Sequence, residues 1–498
     1  MPERKTIPAW LEAVQTQIRW RRARPVLARE LEQHLEDQRD SFLKEGKSPE
    51  ESEHLAVEDM GDPVAVGTEL DRIHRPRPQW GLLGLTLALA VIGAVLRVTF
   101  FQIGGDYHYI FTYTLEKALL SLGLGTAAML GMYFLDVSRL VRHARALYIG
   151  GLAVSLLPLL FIHSRYCTYY ITIAAALSPL AYALWLYSFR GKRWKGFLLT
   201  ILGGGFLWLT SGYWFSLAGT FILLFSGLAL TLYALGRNWF GVGRGKGIGA
   251  TLAVVFGLLA FLLFKGYLNS FLLRVMIALR PELEKEHRGY MGWMLNMFWK
   301  DVPPLRSAGG EAAMSVNAGA RVFGGGQELR PIDFSHDFLP ASMAVAWGWV
   351  PLALLLAALA ALLLWLLVKG LRQSYLPGRL VVLAVVLTLG FQTLFSAALN
   401  FGFVLFSASL PLIVGNFQTV IHMALIGLAL SVFRGDSAAR EEPAAPLEER
   451  GQKRHEKNGR NAERSRTRSR PGITDRGANA ARSAAYIQDD SEDGRCRS

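Results

Sequence analysis

Residues 271–300 read FLLRVMIALRPELEKEHRGYMGWMLNMFWK, and residues 301–340 continue DVPPLRSAGGEAAMSVNAGARVFGGGQELRPIDFSHDFLP. This stretch, 271–342, is a long polar interruption in a chain otherwise built from apolar runs with short connections. A connection of that length is normally a functional segment or a structure of its own. It carries acids, arginines and a glycine cluster, Gly324, Gly325 and Gly326. Tyr290, Trp293, Met294, Met297 and Phe298 recur at i, i+3, i+4, i+7 and i+8, which predicts a helix lying on an apolar surface. Such a helix suits a membrane interface, where Trp and Tyr are enriched.

On either side of this stretch the apolar runs are about twenty residues long, enough to cross a bilayer of ~30 Å at ~1.5 Å per residue. The chain is 52% hydrophobic and 18% charged over 498 residues, with the charge concentrated at its two ends. The fold class that follows is all-α: a polytopic membrane protein of about ten helices, at roughly 80–103, 114–135, 145–163, 168–189, 195–212, 214–236, 247–270, 343–369, 378–400 and 411–433.

The loops decide the orientation. One alternating set holds Arg139, Arg142, Arg145, Arg190, Lys192, Arg193, Lys195, Arg237, Arg244, Lys246, Lys369, Arg372 and Arg379, and the other holds Arg165. By the positive-inside rule the first set is cytoplasmic, both termini are cytoplasmic and 271–342 faces outward. The same loops, with a basic tail, account for the net charge of +14 without nucleic acid as a partner.

Residues 1–79 read as a cytoplasmic helical domain. Ser48-Pro49-Glu50-Glu51 is a helix start, Gly61 a stop, and Asp62-Pro63 a second start. Leu27, Leu31, His34, Leu35 and Phe42 share one face of an earlier helix, where His34 reads as a packed or surface residue. The N-terminus has no apolar core, so no cleavable signal peptide is expected. Residues 434–498 are polar, charged and poor in aromatics, the composition of a disordered basic cytoplasmic tail. Cys167 and Cys496 stand far apart and imply neither a disulfide nor a metal site.

Several chemistries lack their residues: there is no phosphate-binding GxxxxGK[ST] loop, no HExxH and no CxxC. Within the spans the polar exceptions are Gln392, Asn400, Asn416, Gln418 and His422, each of which suits a hydrogen bond between helices. Asp337 precedes the eighth span with Pro340 in its first turn, so as a residue it reads equally as a helix N-cap or as a functional carboxylate.

Taken in order, four segments resemble the SEDS family of cell-division and cell-shape proteins (the FtsW/RodA/SpoVE group) across most of 80–433. They are LDVSRLVRHARALY at 135–148; Arg274 to Pro281 with Arg288-Gly289-Tyr290; SHDFLPASMAVAWGWV at 335–350; and Gln392, Asn400 and LPLIVGNFQT at 410–419. Asp337-Phe338 matches the family's Thr-Asp-Phe motif, with His336 in place of the Thr, and Gly348 matches the glycine of the following helix. Asn416-Phe417-Gln418 stands where the family has Tyr-Gly-Gly. The first domain, from ELEQHLEDQRD onward, resembles the permease-prefix or HAAS-type module, which implies regulation or interaction.

The resemblance implies peptidoglycan glycosyltransfer, the polymerisation of lipid II at the outer leaflet of a bacterial plasma membrane, with a class B penicillin-binding protein as partner. It makes Asp337 the candidate base, with Asp333 as the alternative. Arg274 and Arg321 become candidates for the substrate diphosphate, because guanidinium matches phosphate bidentately, and Gln392 and Asn400 are carried with them as substrate-binding candidates. No cofactor follows, and a divalent cation stays open. A lipid-linked precursor flippase and a non-catalytic scaffold remain as alternative functions.

Overall fold

The computed structural model describes residues 6–20, 23–74, 78–101, 107–160, 167–211, 217–262, 268–300, 302–305, 336–413 and 415–435. All of them belong to the unit Met1–Glu441. Asp333, Arg321, the glycine cluster and the tail beyond 435 lie outside the described residues.

The first four helices are α1 (Ile7–Gln17), α2 (Arg24–Lys44), α3 (Pro49–Asp59) and α4 (Pro63–His74). They enclose a core of their own around Trp10, Val14, Leu27, Leu35, Ala56 and Val57. Their ends follow from sequence: the Ser48 hydroxyl accepts from Glu51 N at 3.2 Å, Gly61 takes φ +79°, and an Asp62 carboxylate oxygen accepts from Ala65 N at 3.1 Å. These side chains satisfy amides that a helix start leaves without partners. His34 is exposed on α2.

The rest is a helical membrane bundle: α5 (Trp80–Phe101), α6 (Tyr107–Phe134), α7 (Val137–Arg142), α8 (Ala144–Leu160), α9 (Cys167–Ser188), α10 (Arg193–Ser211), α11 (Leu217–Gly236), α12 (Arg244–Leu262), α13 (Leu268–Leu279), α14 (Tyr290–Lys300), α15 (Leu339–Trp347), α16 (Trp349–Leu371), α17 (Leu376–Asn400) and α18 (Phe417–Gly435). Among the described residues six helices are long and apolar enough to cross a membrane, within α5, α6, α11, α16, α17 and α18, and shorter apolar helices accompany them. Lipid tails give helices no hydrophobic reason to associate, so close packing has to hold them. At Gly427 on α18 an added Cβ would stand 2.3 Å from the Met129 carbonyl oxygen of α6. That approach admits no side chain. The central α17 is buried along most of its length.

About ten spans were expected against these six, and two of the expected spans also take a different course. The run 343–369 is broken at Gly348, which takes φ +94° and ψ 174°, a conformation essentially restricted to glycine. Pro303 O and Pro304 O accept from Trp349 N at 3.2 Å and from Val350 N at 3.1 Å, so this two-proline strap caps α16. A Cβ on Gly348 would meet Pro304 O at 2.5 Å. The second difference is the last span, which starts at Phe417 rather than near 411. Before it, residues 401–413 are irregular yet deeply buried from Ala408 to Ile413.

Candidate active site

Irregular backbone inside a membrane bundle survives only where protein supplies its hydrogen bonds. Here α17 and α18 supply them. Gln392 Nε2 donates to Ser409 O at 3.1 Å, and Leu412 N donates to His422 Nδ1 at 3.2 Å. Because Nδ1 accepts, Nε2 carries the ring proton and donates to Gln392 Oε1 at 3.1 Å. Ser409 Oγ donates to Gln418 Oε1, and the Gln418 main-chain N donates to Asn416 Oδ1 at 2.8 Å, at the start of α18. Leu412 takes φ +67°, an uncommon conformation for a leucine that this network holds in place. Three of the five polar residues noted in the spans, Gln392, Gln418 and His422, therefore support one buried segment, and Gln392 and His422 also join α17 to α18.

That segment folds back along the last turns of α17. Gln392 and Asn400 are eight residues apart, about 12 Å along a helix. At the upper end stands Asn400, which is 1% exposed. Its Oδ1 accepts from Ala341 N at 3.0 Å. Its Nδ2 donates to Asp337 O and to Ser396 O, each at 2.8 Å. Its main-chain oxygen accepts from Trp299 Nε1 at 2.7 Å. One residue thus ties α17, the entry to α15 and the polar-stretch helix α14 together.

These bonds bear on the cap reading of Asp337. Ala341 is the third residue of α15, the position an N-cap side chain normally serves. Asn400 serves it from another helix, and the preceding Phe338 makes no side-chain cap. Pro340 does sit in the first turn, as expected. Asp337 is not the cap. Its half-buried carboxylate accepts from the Ser407 hydroxyl at 2.6 Å, where the folded-back segment begins its descent.

Over this site lies α14. Gly292, Met294, Leu295 and Phe298 form its buried face, while Tyr290, Trp293 and Met297 are half-buried. The predicted stripe is therefore rotated, with Leu295 at its centre. The apolar surface under it is protein: a Cβ on Gly292 would stand 3.0 Å from Gly402 O and 3.4 Å from a Val404 methyl. Trp299 and Phe401 pack with centroids 4.8 Å apart.

The structure thus brings together Asp337, Asn400, Ser407 and Trp299, with Gln392 two turns below. Arg274 is exposed on α13 and makes no contact with that cluster among the described residues. Asp333 and Arg321 cannot be placed, because both lie outside the described residues. Ser407 was missed by sequence reasoning: a serine in an apolar run carries no signal, and its partner lies seventy positions away. Arg97 was missed too. It belongs to α5, is 7% exposed, and lies against the backbone of Gly415. The described residues hold no group of three His, Cys, Asp or Glu that could hold a metal ion.

Neither a family model nor a curated protein matches the sequence. Solved structures do. One is a chain of a peptidoglycan synthase complex in which polymerization and crosslinking are coordinated, at 21% identity and TM-score 0.50, covering 72% of this chain and 98% of that one. The membrane bundle shares that fold. A second match is the rod shape determining protein RodA of Thermus thermophilus, at 19% identity and TM-score 0.46, covering 72% of this chain and 97% of that one. The shared fold agrees with the family resemblance read from the sequence, and at this identity it speaks for architecture alone.

Proposed function

We propose that this protein is a SEDS-type peptidoglycan glycosyltransferase that polymerises lipid II, with Asp337 as its general base. The observation that carries the reading is the carboxylate relieved of capping: Asn400 takes the structural duty, and Asp337 keeps a carboxylate held by one hydroxyl. An acid fixed in place but not consumed by the fold is available for chemistry.

In the proposed reaction the acceptor sugar hydroxyl attacks the anomeric carbon of the donor. Its proton passes to Asp337, and the bond from that carbon to the diphosphate oxygen breaks. The polyprenyl diphosphate leaves with the bonding electrons. Ser407 orients the base, and α14 with its Trp299 closes one side of the site. Arg274 and Arg321 remain the candidates for the departing diphosphate, where cationic charge stabilises the developing negative charge. A class B penicillin-binding protein is the proposed partner, consistent with a fold found in a synthase complex. The site faces the cell exterior in this reading, since Asn400 ends the helix whose other end carries Arg379.

The test is polymerisation of purified lipid II by the detergent-solubilised protein, with and without the partner. Glycan chains longer than the substrate are expected with the partner present. A protein that moves lipid II across vesicles without lengthening it would be a flippase, and one that does neither would be a scaffold.

A further inference from the structure

At the end of the bundle opposite Asp337, two cations close on one ring. The Arg145 guanidinium carbon is 5.6 Å from the centroid of Phe189, and Lys192 Nζ is 4.5 Å from the same centroid. The ring is buried and both cations are exposed. No carboxylate pairs with either cation among the described residues. The Lys192 ammonium is held below the usual lysine range, by partial burial first and by nearby Arg145 second. A positive pair of this kind is relieved by an anion.

The platform beneath them is fixed. Phe189 meets Trp185 edge-on at 4.6 Å, and Trp185 stacks on Tyr148 at 4.1 Å. The Tyr148 hydroxyl donates to Gly203 O at 2.7 Å, which locks α8 against α10. Gly191 N donates to Trp239 O at 2.9 Å, which anchors the Lys192 loop to its neighbour.

Further along α8 and α10 the exposed side chains are apolar. Ile149, one turn after Arg145 on α8, is 62% exposed. On α10 Leu198, Leu202 and Phe206 recur at i, i+4 and i+8 and are 48%, 63% and 51% exposed. In a membrane such faces meet acyl chains. A free phosphate would have no use for them. Cation pair and aliphatic face together have the chemistry of one molecule.

We propose that Arg145 and Lys192, set over Phe189, bind the phosphate headgroup of an anionic phospholipid whose acyl chains lie along α8 and α10. Basic pockets between helices at the positively charged membrane face are suited to such headgroups. The site is distinct from Asp337 and stands whether or not the protein polymerises lipid II.

The test is native mass spectrometry of the full-length protein in detergent, titrated with phosphatidylglycerol or phosphatidylcholine. The double variant Arg145→Gln/Lys192→Gln is expected to bind phosphatidylglycerol on the order of tenfold more weakly than the parent. Phosphatidylcholine should bind both proteins alike. The charge-keeping Arg145→Lys/Lys192→Arg should retain the phosphatidylglycerol affinity. So should Arg139→Gln/Arg142→Gln, which removes as much charge elsewhere on the same face. If the double variant does not fold, Lys192→Gln alone, on an exposed loop side chain, is expected to show a smaller loss in the same direction. Three results would overturn the proposal: unchanged phosphatidylglycerol binding in the Arg145/Lys192 variants, an equal loss in the Arg139/Arg142 variant, or displacement of the lipid by an equal concentration of inorganic phosphate.

Discussion

Asn400 donates its amide hydrogen to the main-chain carbonyl of Asp337 at 2.8 Å, across 63 positions of sequence. The same side chain caps α15 through Ala341 N. Replacing it with Ala leaves a buried N–H and a carbonyl without partners, each costing about 1–3 kcal/mol. Asn400→Ala is therefore expected to lower the unfolding midpoint in detergent and to lose most polymerisation, because the loop carrying Asp337 is no longer held. An unchanged midpoint would show that water replaces the amide.

Gly348 makes a second, purely steric prediction. Its φ of +94° and the 2.5 Å approach of Pro304 O leave no room for a methyl group. Gly348→Ala should destabilise the bundle by at least the ~1–3 kcal/mol of a strained backbone. Equilibrium unfolding measures it, and a variant as stable as the parent would mean that the strap moves aside at little cost.

How much of this was legible beforehand depends on how far apart the partners are. Helices α5, α6, α11, α16, α17 and α18 were readable from local apolar runs. The caps of α3 and α4 were equally local, written in Ser48-Pro49 and Asp62-Pro63. The break at Gly348 was not legible, because it needs Pro303 and Pro304 to accept from Trp349 and Val350. Nor was the buried course of 401–413, since LFSASLPLIV is as apolar as a span. Its irregularity rests on Gln392 and His422, whose side chains take the place of helical hydrogen bonds. The motif resemblance singled out Asp337, but only the contact with Asn400 distinguishes it from a cap.

The orientation of the bundle rests on its loop charges. In a variant with Cys167 and Cys496 changed to Ser, a cysteine at Ser307 should react with an impermeant thiol reagent on intact cells. One at Ser374, between Arg372 and Arg379, should not. The reverse labelling pattern would place Asp337 in the cytoplasm and remove the proposed reaction.

Ser407 separates positioning from folding. Its hydroxyl reaches Asp337 Oδ2 at 2.6 Å from an exposed site, so its loss should leave the melting temperature close to that of the parent. Ser407→Ala is expected to lower kcat for polymerisation roughly 10–100-fold, the scale of one hydrogen bond to a charged group. KM should change little. Ser407→Thr, which keeps the hydroxyl, should recover much of the rate. Equal rates for the Ala and Thr variants would leave Ser407 without a role in the reaction.

The decisive substitution is Asp337→Asn. In the structure the α15 cap comes from Asn400, so the change removes a carboxylate without removing a cap. An Asn carbonyl can still accept from Ser407, which preserves the local geometry while abolishing the base. Folding and membrane insertion should match the parent, and lipid II polymerisation should fall by about 10²–10⁴-fold, the usual contribution of a general base. Asp333→Asn is the comparison: that residue precedes the motif by four positions, and its variant is expected to keep substantial activity. Activity lost only in Asp333→Asn would move the base one turn upstream. Normal polymerisation by a folded Asp337→Asn protein would show that the carboxylate held by Ser407 is structural after all.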